Sequence, residues 1–550
     1  MTRLPERPNL DQLKKQAKDL LAAYRRGEPE AFARFRNSLP AASAKDDAAM
    51  AAALGLRLHD AQSCVAREYG FASWADLASF VLARQAHARD PATAILNLLR
   101  LIYAGDIAGG TNRARPEVAV RILNERPDLI GGDPYLACAV GDDAVVERVT
   151  RRDPDWVNRP GGPLALPPLV AVAHSSLLRL PAYRGRLHAT ATFLLDAGAD
   201  PNQSVPNRWA ASPHEANPEQ PLSALYGAAG QNHDPDLTRL LLDRGANPDD
   251  GESLYHSLDN PACTRLLLEA GARIAGTNAL YRSLDLSDVE PLKLLLAYGG
   301  DANEPAPGSP TSDWGTPLLW AIRRRRSAEH IAALLAYGAN PSAKTPRGES
   351  AYVLALQFGL PDVADLLRQA GAHGAELSSE TEFVAACARG NEAAARRLLS
   401  ARPDMIAALS DDHIRLLPEL AAQGSNDAVR VMVRLGWPIS ARGGDWDASA
   451  LNHAVFRGDA ELARFLLEYG ASWTEPHGFG DNVCGTLSWA SCNEPVNGGD
   501  WLACAEVLRA HGLPSARRDP GGSDAVMIDG VCRRFSKEVS EFLLEDTAGV

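Results

Sequence analysis

Few groupings of side chains in this sequence have the types and spacing that chemistry requires. No nucleophile elbow, Walker loop, complete dinucleotide fingerprint or HExxH pair occurs. The nearest glycine-rich candidate is GFGDNVCG (478–485), but Val483 stands where the third glycine should be and no strand pattern precedes it. A loop between helices accounts for it without a ligand. Cys484, Cys492 and Cys504 lie near His453, His477 and His511 in sequence, yet none forms the close CxxC-type pair that structural zinc sites use, so no metal is expected. Asp200, Asp249 and Asp301 each come shortly after a glycine that ends an apolar segment, and suit turns. No catalytic residue and no cofactor follow from these patterns, and the chain reads as a non-enzyme.

The aromatic residues carry a different signal. Trp209, Trp314, Trp437, Trp446 and Trp473 are five of the ten tryptophans, and they fall in turn-like stretches where no core obliges them; Phe479 joins them. Large aromatics so placed can anchor a protein partner, and these six residues form the candidate partner-binding set. The plainer alternative is an aromatic body covering the neighbouring turn. The run Arg323-Arg324-Arg325-Arg326 follows an apolar segment and is expected to be a solvated helix end whose charge offsets the helix dipole. A competing class, an enzyme or ligand-binding regulator, would have its site in the N-terminal module or in segment 159–188, with His174 and His188.

These residues must be positioned by a recurring element. Leucines, then Gly-Ala, then a polar turn appear as FLLDAGADPN (193–202), ALLAYGANPS (333–342) and FLLEYGASWT (465–474), with further copies between them. Gly338 and Gly371 are 33 residues apart, and Gly436 and Gly470 are 34 apart. Leucines closed by Gly predict a helix stopped by a left-handed cap, and the Pro that often follows cannot continue it. A second apolar helix lies upstream, as in GTPLLWAI (315–322), and breaks such as Gly141-Asp142, Gly390-Asn391 and Gly458-Asp459 separate the two. The Gly245–Gly271 and Gly271–Gly299 steps are only 26 and 28 residues, which predicts truncated inner helices there.

A helix–loop–helix with a turn at this period resembles the ankyrin repeat over about residues 92–515, in about twelve units. The histidine of the family's TPLH signature is replaced by Leu319, Tyr226, Asn452 and Ser488. The resemblance implies an all-α solenoid of stacked helix-turn-helix units with short β-hairpin turns. It also implies a scaffold that binds a partner protein through its concave face and inter-repeat hairpins. One such unit cannot bury its apolar face alone, so neighbours share a core and contacts are expected between adjacent repeats only, giving an elongated, curved array. Residues 1–90 form a helical module, with Leu10, Leu13, Ala17, Leu20 and Leu21 on one face and Asp60 and Ser73 as helix N-caps. With its LKKQAKDLL (13–21) and AREYGFASWADL (66–77) stretches, this module resembles a helical segment that precedes ankyrin arrays in bacterial proteins. Residues 91–515 are the array, and residues 516–550 hold a capping helix over 530–546.

Composition bounds the rest. The 550 residues are 45% hydrophobic and 23% charged, with a formal net charge of −13, which excludes a wholly disordered chain or a small disulfide scaffold. The acidic balance disfavours nucleic acid. No apolar run approaches the ~20 residues of a membrane helix, and the N-terminus has no secretory apolar core. Eight cysteines fit buried thiols of a reducing cytoplasm. The 49 Arg against 7 Lys suit a GC-rich bacterial genome. A monomer with one protein partner is the expectation.

Overall fold

The computed structural model describes residues 4–5, 7–40, 42–43, 46, 56, 58–87, 90–110, 112–208, 221–306, 308, 314–372, 374, 376–519 and 525–544. They divide into two compact units, residues 1–273 and 274–550. Both are all-α stacks of helical pairs with short β-hairpin turns, so the class is the helical-repeat solenoid.

In the first unit, helices Leu10–Arg25, Pro29–Ser38, Leu58–Glu68 and Trp74–His87 pack together. Leu10, Leu13, Ala17, Leu20 and Leu21 are all buried, and Tyr24 meets Phe32 and Phe35 edge-on at 5.5 Å each. Ser73 caps its helix by accepting the Asp76 N–H (3.1 Å). Asp60 is not a cap: its helix begins at Leu58, which places Asp60 inside the first turn. Paired helices follow, such as Pro134–Val140 with Asp143–Arg152 and Pro168–Ala173 with Pro181–Asp196. The short 245–271 step holds an inner helix of five residues, Ser253–Ser257.

The second unit runs through pairs that include Pro317–Arg323 with Ala328–Ala336, Ala351–Gln357 with Pro361–Gln369, and Ala450–Phe456 with Ala460–Glu468. In the last pair Leu451, Ala454, Val455, Leu462 and Leu466 are fully buried, each such leucine contributing about 2 kcal/mol. Between paired helices the same two residues recur. Gly458 takes φ +68° and ends the inner helix, and Asp459 then accepts the Leu462 N–H (2.9 Å) to cap the outer one. Asn391 and Asp142 cap their helices in the same way.

Successive turns are also bonded together. Asn158 donates to the Gly198 carbonyl (2.9 Å) and accepts the Asp200 N–H (2.7 Å). Asn202 accepts the Asn247 N–H (2.8 Å). In the second unit Asn303 donates to Gly338 O and accepts the Asn340 N–H, both at 2.9 Å. Asp200 and Asp301 brace their own turns through the N–H groups of Asn202 and Asn303, and Asp249 accepts the Arg273 N–H (2.7 Å).

Two further expectations are corrected. The segment 530–546 is not one helix: Val526–Ile528 and Val531–Arg533 form an antiparallel hairpin, and the helix is Lys537–Leu544. The cause is Asp529-Gly530, both at positive φ (50° and 76°), the geometry of a two-residue hairpin turn. Phe535, Val539 and Leu543 are buried, and Phe542 is half-buried. Contacts are also not confined to adjacent repeats. Gln231 bonds to Asp106 within the first unit, and Arg323 pairs with Glu419 and Asp445 within the second.

Candidate functional site

The inner helix Pro317–Arg323 is buried along its whole length, and its last residue is a guanidinium at 1% exposure. So buried a charge persists only with partners. Arg323 Nη1 donates to Asp445 Oδ1 (2.6 Å) and Nη2 pairs with Glu419 Oε2 (2.9 Å). Its Cζ lies 4.7 Å from the ring of Trp314 and 4.9 Å from that of Trp320. Arg324 shares Asp445 (2.7 Å) and also pairs with Asp285 (2.9 Å); burial pushes the Asp285 carboxyl up, against the pull of Arg324. Arg325 bonds to Phe358 O and Arg326 to Leu286 O. The arginine run is therefore a packed network, not the solvated helix end its sequence suggests.

Above this network lies a cleft of about 630 Å³ in the second unit. Its lining comes from the loop bearing Trp314, the turn over 345–349, helix Leu416–Ala422 and the hairpin over 442–449. Trp314 stands edge-on to Phe358 (6.1 Å). Trp446 meets His453 at 4.9 Å and His477 at 5.2 Å, and stacks on Phe479 at 6.4 Å with rings 15° apart. Phe479 is 81% exposed. Trp446 also contacts Phe456 (5.7 Å), which stacks on Trp489 (5.5 Å), itself 49% exposed. A continuous aromatic row thus leads from the cleft across the surface.

Three of the six sequence candidates, Trp314, Trp446 and Phe479, meet at this cleft. Trp437 does not belong with them. It is buried, stacks on Phe383 (6.0 Å) and donates its indole N–H to Ile414 O (3.1 Å), because the turn carrying it folds inward onto the core. Trp473 is half-buried near the Gly512 turn and does not line the cleft. Trp209 lies outside the described residues. Sequence reasoning missed Glu419, Asp445, Phe456 and Trp489, and read Arg323 as part of a solvated helix end. One signal was available: Trp446 and Phe479 are 33 residues apart, one period, and so occupy matching positions in successive turns.

The cleft offers aromatic faces, paired charges and one hydroxyl. Thr345 Oγ1 is that hydroxyl, and it accepts the Glu349 N–H (3.1 Å). Glu349 accepts a bond from Gln357 Nε2 (2.7 Å), and burial pushes its carboxyl up. Cys484 is buried and its thiol is pushed up to about 11, a packing residue rather than a nucleophile. Six of the eight cysteines are buried; Cys492 and Cys532 are exposed.

Segment 159–188 leads to two polar clusters in the first unit. His174 Nε2 lies 2.8 Å from Ser223 O and Nδ1 lies 3.3 Å from Gln231 Oε1, while Gln231 also bonds to Asp106. Burial pushes His174 down and Asp106 up. His188 Nε2 lies 2.9 Å from Asp234 Oδ2, with Arg184 at 3.6 Å. Among the described residues, His188, Asp234 and Asp236 form the one group whose ligand atoms lie within 4.8 Å of one another. Asp234 is already committed: it caps helix Pro235–Asp243 through the Leu237 N–H (3.0 Å) and faces two bases. No described helix is long and apolar enough to cross a membrane.

The fold defines a helical-repeat protein. No family model and no curated protein matches the sequence. Among solved structures, the chain is similar to the ankyrin repeat domain of Bcl-3, a member of the IkappaB protein family, at 21% identity. That likeness covers 36% of this chain and 86% of that one, with a TM-score of 0.30.

Proposed function

We propose that this chain is a non-enzymatic interaction module of the ankyrin type that grips a segment of a partner protein in the cleft of its second unit. The observation that carries this reading is the stacking of Phe479, 81% exposed, on Trp446 at the mouth of a cleft also lined by Trp314. An exposed phenylalanine is costly to keep in water, and aromatic anchors beside a desolvated pocket are where binding energy concentrates at protein interfaces. The ankyrin assignment is supported by the 33-residue period and by the Gly-ended outer helices. Six buried cysteine side chains suit a reducing cytoplasm.

The test is quantitative capture from the native cell. Partner recovery with Trp446→Ala or Phe479→Ala should fall at least tenfold, the scale of an interface hot spot. Trp473→Ala, a turn tryptophan outside the cleft, should leave it unchanged. Equal recovery with all three variants overturns the assigned face.

A further inference from the structure

The charges around the cleft are almost entirely paired. Asp412 pairs with Arg347, Glu419 with Arg323, Asp445 with Arg323 and Arg324, and Asp447 with Arg442 (2.7 Å). Glu349 is the exception. Among the described residues it is the one carboxyl lining the cleft that no Arg or Lys meets. Its side chain accepts from the neutral amide of Gln357. It shares the cleft with Trp314 and Trp446, whose ring faces attract cations.

We propose that the cleft takes a basic side chain, Arg or Lys, from the partner segment, with Glu349 as its counter-ion and the indoles of Trp314 and Trp446 as its walls. This deepens the reading above and rests on it. The cation would supply the charge that the protein withholds from Glu349 alone among the lining acids. A guanidinium would add stacking on the indoles, and an ammonium would make the simpler ion pair. Burial holds the Glu349 carboxyl up, so a cation arriving there would pull it back down.

The test is isothermal titration of the full chain with three capped tripeptides: glycyl-arginyl-glycine, glycyl-lysyl-glycine and the neutral isostere glycyl-citrullyl-glycine. At least one basic peptide should bind tenfold more tightly than the citrulline peptide, and Glu349→Gln should remove that preference. Trp446→Ala, a second variant, should weaken the basic peptide at least fivefold. Which basic peptide wins separates guanidinium from ammonium recognition. No saturable binding of either cation, equal binding of the neutral peptide, or a preference that survives Glu349→Gln overturns the proposal. If that happens while partner capture still depends on Trp446 and Phe479, the cation assignment alone fails and the cleft remains the docking face.

Discussion

Arg323 shows how a single residue can shape the site. Its guanidinium is sealed between two tryptophans and neutralised by carboxylates 96 and 122 residues further along the chain. Removing it leaves Glu419, itself buried, without its cation. We therefore expect Arg323→Ala to destabilise the protein by about 3–5 kcal/mol, the cost of an orphaned buried charge. Chemical denaturation followed by the near-ultraviolet signal of the tryptophans measures this directly, and the same variant should loosen Trp314 from the cleft wall. Arg323→Met with Glu419→Leu, which removes both charges, should recover most of the loss. None of this was visible in the sequence, where four consecutive arginines at a helix end resemble solvated charge. Only folding brings acids from distant repeats to that helix end.

The helical pair, by contrast, is legible because its determinants are local. The helix-ending glycine, the Asp or Asn that caps the next helix and the Asn that ties adjacent turns all lie within a few residues of the elements they shape. The structure adds why the two kinds of glycine are not equivalent. Gly470 ends an outer helix at φ +100° with open space around it, so Gly470→Ala costs only the left-handed strain, about 1–2 kcal/mol. Gly458 ends an inner helix, and a Cβ there would lie 2.6 Å from the Asp500 nitrogen of the next repeat. Gly458→Ala should therefore lose about 1–3 kcal/mol beyond Gly470→Ala, an overpacking cost that parallel denaturation curves would resolve. The hairpin at Asp529-Gly530 carried a readable turn signal, but the amphipathic pattern of 530–546 masked it. The convergence of Trp446 with Phe479 follows from the period. That of Trp314 with them does not, since it depends on contacts between non-adjacent repeats.

At the scale of the whole molecule, burial shifts six histidines in one direction. His174, His233, His330, His413, His453 and His477 are all held below the ordinary value of 6.5, in each case chiefly by burial. The unfolded chain takes up protons at these sites below pH 6.5 while the folded chain refuses them, so stability is full above 6.5 and is lost as pH falls. Asp106, Asp285, Glu349 and Glu475 are held up by burial and act with the opposite sign, losing their contribution as pH rises from the ordinary carboxyl range. With six histidines against four carboxyls, Tm should be lower at pH 5.5 than at pH 7.5, with net proton uptake on unfolding near pH 6. The acidic net charge of −13 favours a partner whose contact segment is basic, and association should slow as salt rises. The most direct measurement of the central claim is photo-crosslinking in the native cell from benzoylphenylalanine placed at position 479 or at position 337. Tyr337 is an aromatic exposed to 50%, on an outer helix end of the same unit and outside the cleft lining. Adducts to a partner protein from position 479 and none from position 337 are predicted; equal adducts from both, or adducts from 337 alone, would contradict the cleft as the docking face.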